Sequence, residues 1–159
     1  MIGLDIRIKN EYNSYLKKIF AGIDLQKYDW EIIFDDTLYK ENGTFQGIFK
    51  NDIIHGINKN GILNGHEFNN CISKENYIIY FVDIKAYPTG ATRSIIKTFS
   101  DFMESNCELV LICVDSVYVE VYCKNSKVLE TIYNNCLGED FEKVDYVSFE
   151  DASGRTLKA

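Results

Sequence analysis

The sequence predicts an α+β fold, a mixed and mostly antiparallel sheet with three to four helices, on three observations. Apolar runs with a period of two recur along the chain, stretches with helical spacing separate them, and turn dipeptides join some strand pairs directly. With 159 residues, 46% of them hydrophobic, the chain can bury a sizeable core. It reads as one domain over 1–151 with a frayed tail at 152–159.

Residues 3–8 (GLDIRI) alternate as a first strand. Asn10 then caps a helix in which Tyr12, Tyr15, Leu16, Ile19 and Phe20 share a face, and Gly22 ends it. EIIF, TLYK and TFQGIF read as strands of a small meander joined by turns, and Asn42-Gly43 suits the positive φ angles of a tight hairpin. Residues 50–65 read as a loop or irregular hairpin, and Phe68, Cys71 and Ile72 as a short helix. Tyr77 to Lys85 (YIIYFVDIK) is the central strand, apolar on both faces until Asp83 and Lys85 mark where its cover ends.

Pro88 and Gly90 break the chain before a second short helix near Ser100, with Phe99, Phe102 and Met103 facing inward and Thr98 or Ser100 as cap. CELVLICV and VYVEVYCK flank Asp115-Ser116 as a hairpin. A two-residue turn there sets Val114 opposite Val117, Ile112 opposite Val119 and Val110 opposite Val121. A helix from about Asn125 to Leu137, stopped by Gly138, and a last strand KVDYVSF complete the chain. From Tyr77 onward this order is the split β-α-β pattern of ferredoxin-like domains, in which strands 77–85 and 108–114 run the same way.

The balance of 17 Lys+Arg against 24 Asp+Glu, net −7, disfavours nucleic acid, since phosphate backbones repel such a surface and no basic stripe compensates. No apolar run reaches the ~20 residues of a membrane span, so no membrane association and a cytoplasmic location are expected. Five cysteines, an odd number without a C-x-x-C pair, point to reduced thiols.

The predicted hairpin register places Tyr118, Glu120 and Tyr122 on one face with Leu109, Leu111 and Cys113. The ordinary reading is a half-buried surface. The sharper one is a recognition face, because Tyr gives large contact area at low entropic cost and Glu120 offers an acceptor to a basic partner. A second candidate gathers Asp83, Lys85, Tyr87 and Asp115 at one sheet edge, placed like an active site, although surface pairing and turn chemistry account for the same residues. His55, His66 and Cys71 lack zinc spacing, so no metal or other cofactor is expected. PTGATR after the central strand could hold an anion but lacks a phosphate-loop pattern.

NEYNSYLKKI with DLQKYDW, then VDIKAYP, then DFMESNCELVLICVDSVYVEVYCKN together resemble an uncharacterised family of bacterial proteins of about this length, a domain of unknown function. The likeness implies a bacterial, cytosolic, single-domain protein and transfers no catalytic residue. In style alone, the acidic, tyrosine-bearing chain is also similar to bacterial immunity proteins. The expected function is a non-enzymatic acidic module that binds a protein partner. The alternative is a small-molecule binder or enzyme using the Asp83, Lys85, Tyr87 and Asp115 edge.

Overall fold

The computed structural model describes residues 1–49 and 61–159. Its strands are β1 (Gly3–Arg7), β2 (Tyr28–Glu41), β3 (Thr44–Gly47), β4 (Ile62–Leu63), β5 (Ile78–Pro88), β6 (Leu109–Val114), β7 (Tyr118–Cys123) and β8 (Lys143–Val147). The helices are α1 (Tyr15–Ile19), α2 (Gly65–Ile72), α3 (Phe99–Glu104), α4 (Ser126–Leu137) and α5 (Phe149–Ala152), with a 3-10 turn at Leu25–Lys27. The strands form one sheet in the order β3-β2-β5-β6-β7-β1-β8, with β4 also on β2. Among the described residues every pairing is antiparallel and five α-helices occur, where three to four were expected for the chain, and the fold is α+β.

The split β-α-β order is corrected by the register. β6 lies directly beside β5 and antiparallel to it, with Asp83 opposite Ile112 and Lys85 opposite Val110. β1 inserts between β7 and β8. α3, whose six residues rise only about 9 Å against the about 36 Å of β5, does not run the length of the sheet but buries Phe99 and Phe102 against Val110 and Tyr122, and the chain turns back at the end of β5 it has just left, where Glu108 N–H donates to Ala86 O.

The β6–β7 hairpin is also one residue out of its predicted register. Val114 faces Tyr118, Ile112 faces Glu120 and Val110 faces Tyr122. Asp115 and Ser116 both take positive φ, and Val117 joins them in a three-residue loop. A shift of one residue reverses the facing of a whole strand, so Tyr118, Glu120 and Tyr122 share a face with Val110 and Ile112 rather than with Leu109 and Leu111. EIIF and TLYK, expected as two strands, are a single β2 with irregularities at Ile32/Phe34 and Asp36/Thr37. The Asn42-Gly43 turn holds, with φ of 51° and 80°.

Both faces of the sheet are covered. On one face α1, α2 and α4 pack over β1, β5, β6 and β7, and Trp30 stacks on Phe68 with ring centroids 3.9 Å apart while its indole N–H donates to Leu25 O. On the other face Phe99 and Phe102 of α3, Ala152 of α5 and Leu157 bury Tyr87, Val110, Ile112 and Tyr122. The frayed tail of the sequence reading is here a docked strap. Leu157 is buried, its N–H donates to Lys97 O, and Phe99 N–H donates to Arg155 O. Leu157 supplies the apolar side chain that a free tail would leave in water. The loop or hairpin expected at 50–65 falls for residues 50–60 outside the described residues; its end forms β4, paired through Trp30 and Leu63.

Candidate functional site

β7, β1 and β8 lie side by side, so residues of like parity form rows across the outer face. Gly3 faces Tyr122 and Val147, Asp5 faces Glu120 and Asp145, and Arg7 faces Tyr118 and Lys143. Gly3 has to be glycine, because a Cβ there would stand 2.6 Å from Val121 O and 2.7 Å from the Tyr122 ring. The Tyr122 ring fills that space and is fully buried.

The second row holds three carboxylates, with Asp5 between Glu120 and Asp145, an arrangement that is repulsive unless neutralised. The strap supplies the countercharge. Arg155 makes a two-pronged contact with Asp5 at 2.8 and 3.2 Å, stands 3.4 Å from Glu120, and donates at 3.0 Å to the Tyr122 hydroxyl, which itself donates to Glu120 at 2.5 Å. The Asp5 hydrogen bonds raise the pKa of Arg155, and burial followed by the Glu120 contact pushes the Tyr122 phenol up, so Arg155 stays charged and Tyr122 stays protonated. Beside this cluster opens a recess of about 330 Å³, lined by Asp5, Arg7, Tyr118, Glu120, Lys143 and Arg155 among others.

Of the three residues the sequence proposes for recognition, Tyr118 is 50% exposed on the recess wall, with the Arg7 guanidinium 4.9 Å from its ring centre. Glu120 is partly exposed but held by Tyr122 and Arg155, and Tyr122 belongs to the core. Tyr122 is covered because Phe99 and Phe102 of α3 pack on its ring, whereas Tyr118, four residues away on the same face, lies beyond them.

The second predicted set comes together only in part. Asp83, Lys85 and Tyr87 alternate along β5 on the outer face, yet Asp83 and Lys85 are each 1% exposed. They form an ion pair beneath the strap, where Lys85 Nζ donates to Leu157 O at 2.7 Å and Ala159 N–H donates to Asp83 at 3.2 Å. Tyr87, whose phenol burial pushes up to about 12, donates to Ser94 O. Asp115 sits at the other end of the sheet, in the hairpin loop whose Ser116 N–H donates to Tyr80 O. The antiparallel pairing of β5 and β6 is the reason, since the end of β6 meets the start of β5.

PTGATR is held by carboxylates, with Gly90 N–H donating to Asp29 at 2.9 Å and Arg93 to Glu31 at 2.5 Å, which leaves it little to offer an anion. The five cysteines are all buried, and burial pushes Cys107, Cys113 and Cys136 up to about 12 and Cys123 to about 11. Such thiols are poor nucleophiles at neutral pH. His55 lies outside the described residues. His66 is exposed on α2 whereas Cys71 is buried, and no group of three metal-ligating side chains occurs among the described residues.

Outside the recess, the Asp35 carboxylate is shifted upward. Burial raises Asp35 to about 6, against the pull of hydrogen bonds from Thr37. Its folded pKa exceeds its unfolded one, so its contribution is complete below about pH 4 and is lost as pH rises through 6; above that the ionised group opposes folding. Asp35→Asn, which keeps an acceptor for the Thr37 N–H, is therefore expected to stabilise the protein by about 1–2 kcal/mol at pH 7.5, after allowance for partial exposure. The gain should vanish at pH 4, as urea unfolding at the two pH values would show.

Sequence reasoning missed Asp5, Arg7, Lys143 and Arg155. The alternation of charge in GLDIRI carries a signal for the first two. The last arrives from a strap 150 residues away from Asp5 in the chain.

The chain matches, over residues 1–158, a family described as a protein of unknown function (DUF2691). It is similar to the uncharacterized protein YncE of Bacillus subtilis (strain 168), 30% identical over 155 residues, which span 98% of this chain and 97% of that protein. No solved structure matches it.

Proposed function

The chain belongs to the DUF2691 family, proteins of unknown function, and on the geometry of its recess we propose that it is a non-enzymatic binding module that docks a protein partner around Tyr118. The observation that carries this reading is the placement of Tyr118. A large ring, half exposed, stands on the wall of a concave site built on three hydrogen-bonded strands, where it can bury area without the strand backbone having to reorganise. The lining carboxylates Asp5 and Glu120 are already committed. Glu120, which the sequence offers to a basic partner, is occupied by Tyr122 and Arg155, so the contact falls to Tyr118. The protonated thiols and the strap-covered Asp83–Lys85 pair support a binding role over a catalytic one.

Photo-cross-linking tests the proposal. A benzophenone side chain placed at position 118 in cells of the source organism should yield a discrete protein adduct, and one at Lys127, exposed on α4 across the sheet, should not. Equal labelling from both positions, or none from 118, would remove it.

A further inference from the structure

We infer that the recess is an oxyanion site, with Arg7 as its fork and Lys143 as its second cation, and that a carboxylate is what it takes. The identity of the bearer rests on the docking proposal, a carboxylate of the partner; the binding of the ion does not.

Arg7 is the anomaly that carries this. It sits in the middle strand of the three, with Tyr118 opposite on one side and Lys143 opposite on the other. Its guanidinium makes no hydrogen bond among the described residues. Nε is buried without a partner, and the Glu142 carboxylate stands 3.9 Å from Nη1, beyond hydrogen-bond distance. A guanidinium carries five N–H donors in a planar fork that matches an oxyanion two bonds at a time, and an unmade bond at a buried donor is unfavourable. The Tyr118 ring, 4.9 Å below, orients the plane without satisfying those donors. Arg155 shows the contrast on the same face, since its donors are spent on Asp5, Glu120, Tyr122 and the Asp151 carbonyl.

Charge selects the ligand. The lining holds Arg7, Lys143 and Arg155 against Asp5 and Glu120, and Glu142 beside Arg7 and Asp145, 3.5 Å from Lys143, stand close by. A singly charged carboxylate meets less repulsion from these acids than a phosphate dianion does. Asp145 is solvent-exposed and screened, so its hold on Lys143 is weak and exchangeable.

The test is a titration of the full-length protein with sodium acetate or inorganic phosphate, against chloride at fixed ionic strength, followed by NMR on the backbone amides of Tyr118 and Lys143. Acetate should shift these signals saturably. Arg7→Gln should weaken the apparent affinity about tenfold or more, Lys143→Gln severalfold, and Lys17→Gln, on exposed α1 surface, should leave it unchanged. Thermal unfolding checks that each variant folds, and Lys143→Gln carries the test alone if Arg7→Gln does not. Shifts that grow linearly without saturation, or that survive in Arg7→Gln, would overturn the site; saturation by phosphate alone would overturn the carboxylate assignment. Failure here with cross-linking from position 118 intact sinks this inference and spares the docking proposal; the reverse result does the opposite.

Discussion

Lys85→Ala is expected to cost the fold about 3–5 kcal/mol, because it leaves Asp83 as a buried carboxylate without its countercharge. Both side chains are 1% exposed, between the central strand and the strap. The pair's remaining hydrogen bonds run to the strap backbone, with Leu157 O accepting from Lys85 and Ala159 N–H donating to Asp83. Removing both charges should be far milder. The double variant Lys85→Met, Asp83→Leu is expected within about 2 kcal/mol of the parent or above it, since the attraction within a buried pair does little more than offset the loss of hydration. Urea unfolding of the single and double variants measures the difference. A cost below about 1 kcal/mol for Lys85→Ala would mean that the strap does not exclude water from the pair.

The second large effect belongs to Arg155→Ala, with about 2–3 kcal/mol lost. Charge-assisted hydrogen bonds are worth about 1.5–3 kcal/mol each, and the figure is discounted because Arg155 and Asp5 keep 30% of their side-chain exposure. The loss has two sources. The two-pronged contact to Asp5 disappears, and Asp5 and Glu120 then face each other across β1 and β7 without a cation between them. The second source makes the prediction specific. Asp5→Asn, introduced on top of Arg155→Ala, should restore about 1 kcal/mol by removing the like-charge pair. Hydrogen exchange of the Leu157 and Phe99 amides, both bonded across the strap, should quicken in Arg155→Ala. A loss under about 0.5 kcal/mol together with unchanged exchange would show that Arg155 is an ornament of the strap rather than its clasp.

The elements that were legible in the sequence are those whose signal is local. Thr98 caps α3 by accepting from Asp101 N–H, and Asn125 caps α4 by accepting from Lys127 and Val128, as their positions before apolar helical stripes indicate. The Asn42-Gly43 hairpin follows from dipeptide chemistry that works within four residues. α1 is shorter than its stripe suggests, beginning at Tyr15 after Ser14 rather than near Asn10, because Asn13 N–H is taken up by Tyr77 O and Ser14 Oγ donates to Lys74 O. Neighbours distant in sequence thus trimmed a helix whose periodicity extended further.

Of the candidate site, Tyr118 was legible and its surroundings were not. Asp115-Ser116 reads as a two-residue turn by composition, while the structure uses three residues, and that one-residue difference turns Tyr118, Glu120 and Tyr122 to the face on which α3 buries Tyr122 and leaves Tyr118 open. Asp83 and Lys85 looked like the end of a buried strand because charge normally marks solvent. The strap that covers them is seven polar-looking residues, 153–159, in which Leu157 alone hints at burial.

What the amino-acid sequence determined by itself was therefore the class of the fold, the kind and approximate place of the elements described, and the acidic, phenol-bearing character of the chain, since each depends on spacings within a turn or two of the backbone. Tertiary structure alone decided the strand order, the facing of β7, the burial of the Asp83–Lys85 pair and the meeting of Arg7, Tyr118 and Lys143 beside Arg155. Strand pairing and charge burial depend on which segments, far apart along the chain, exclude water from one another, and local patterning does not encode that choice.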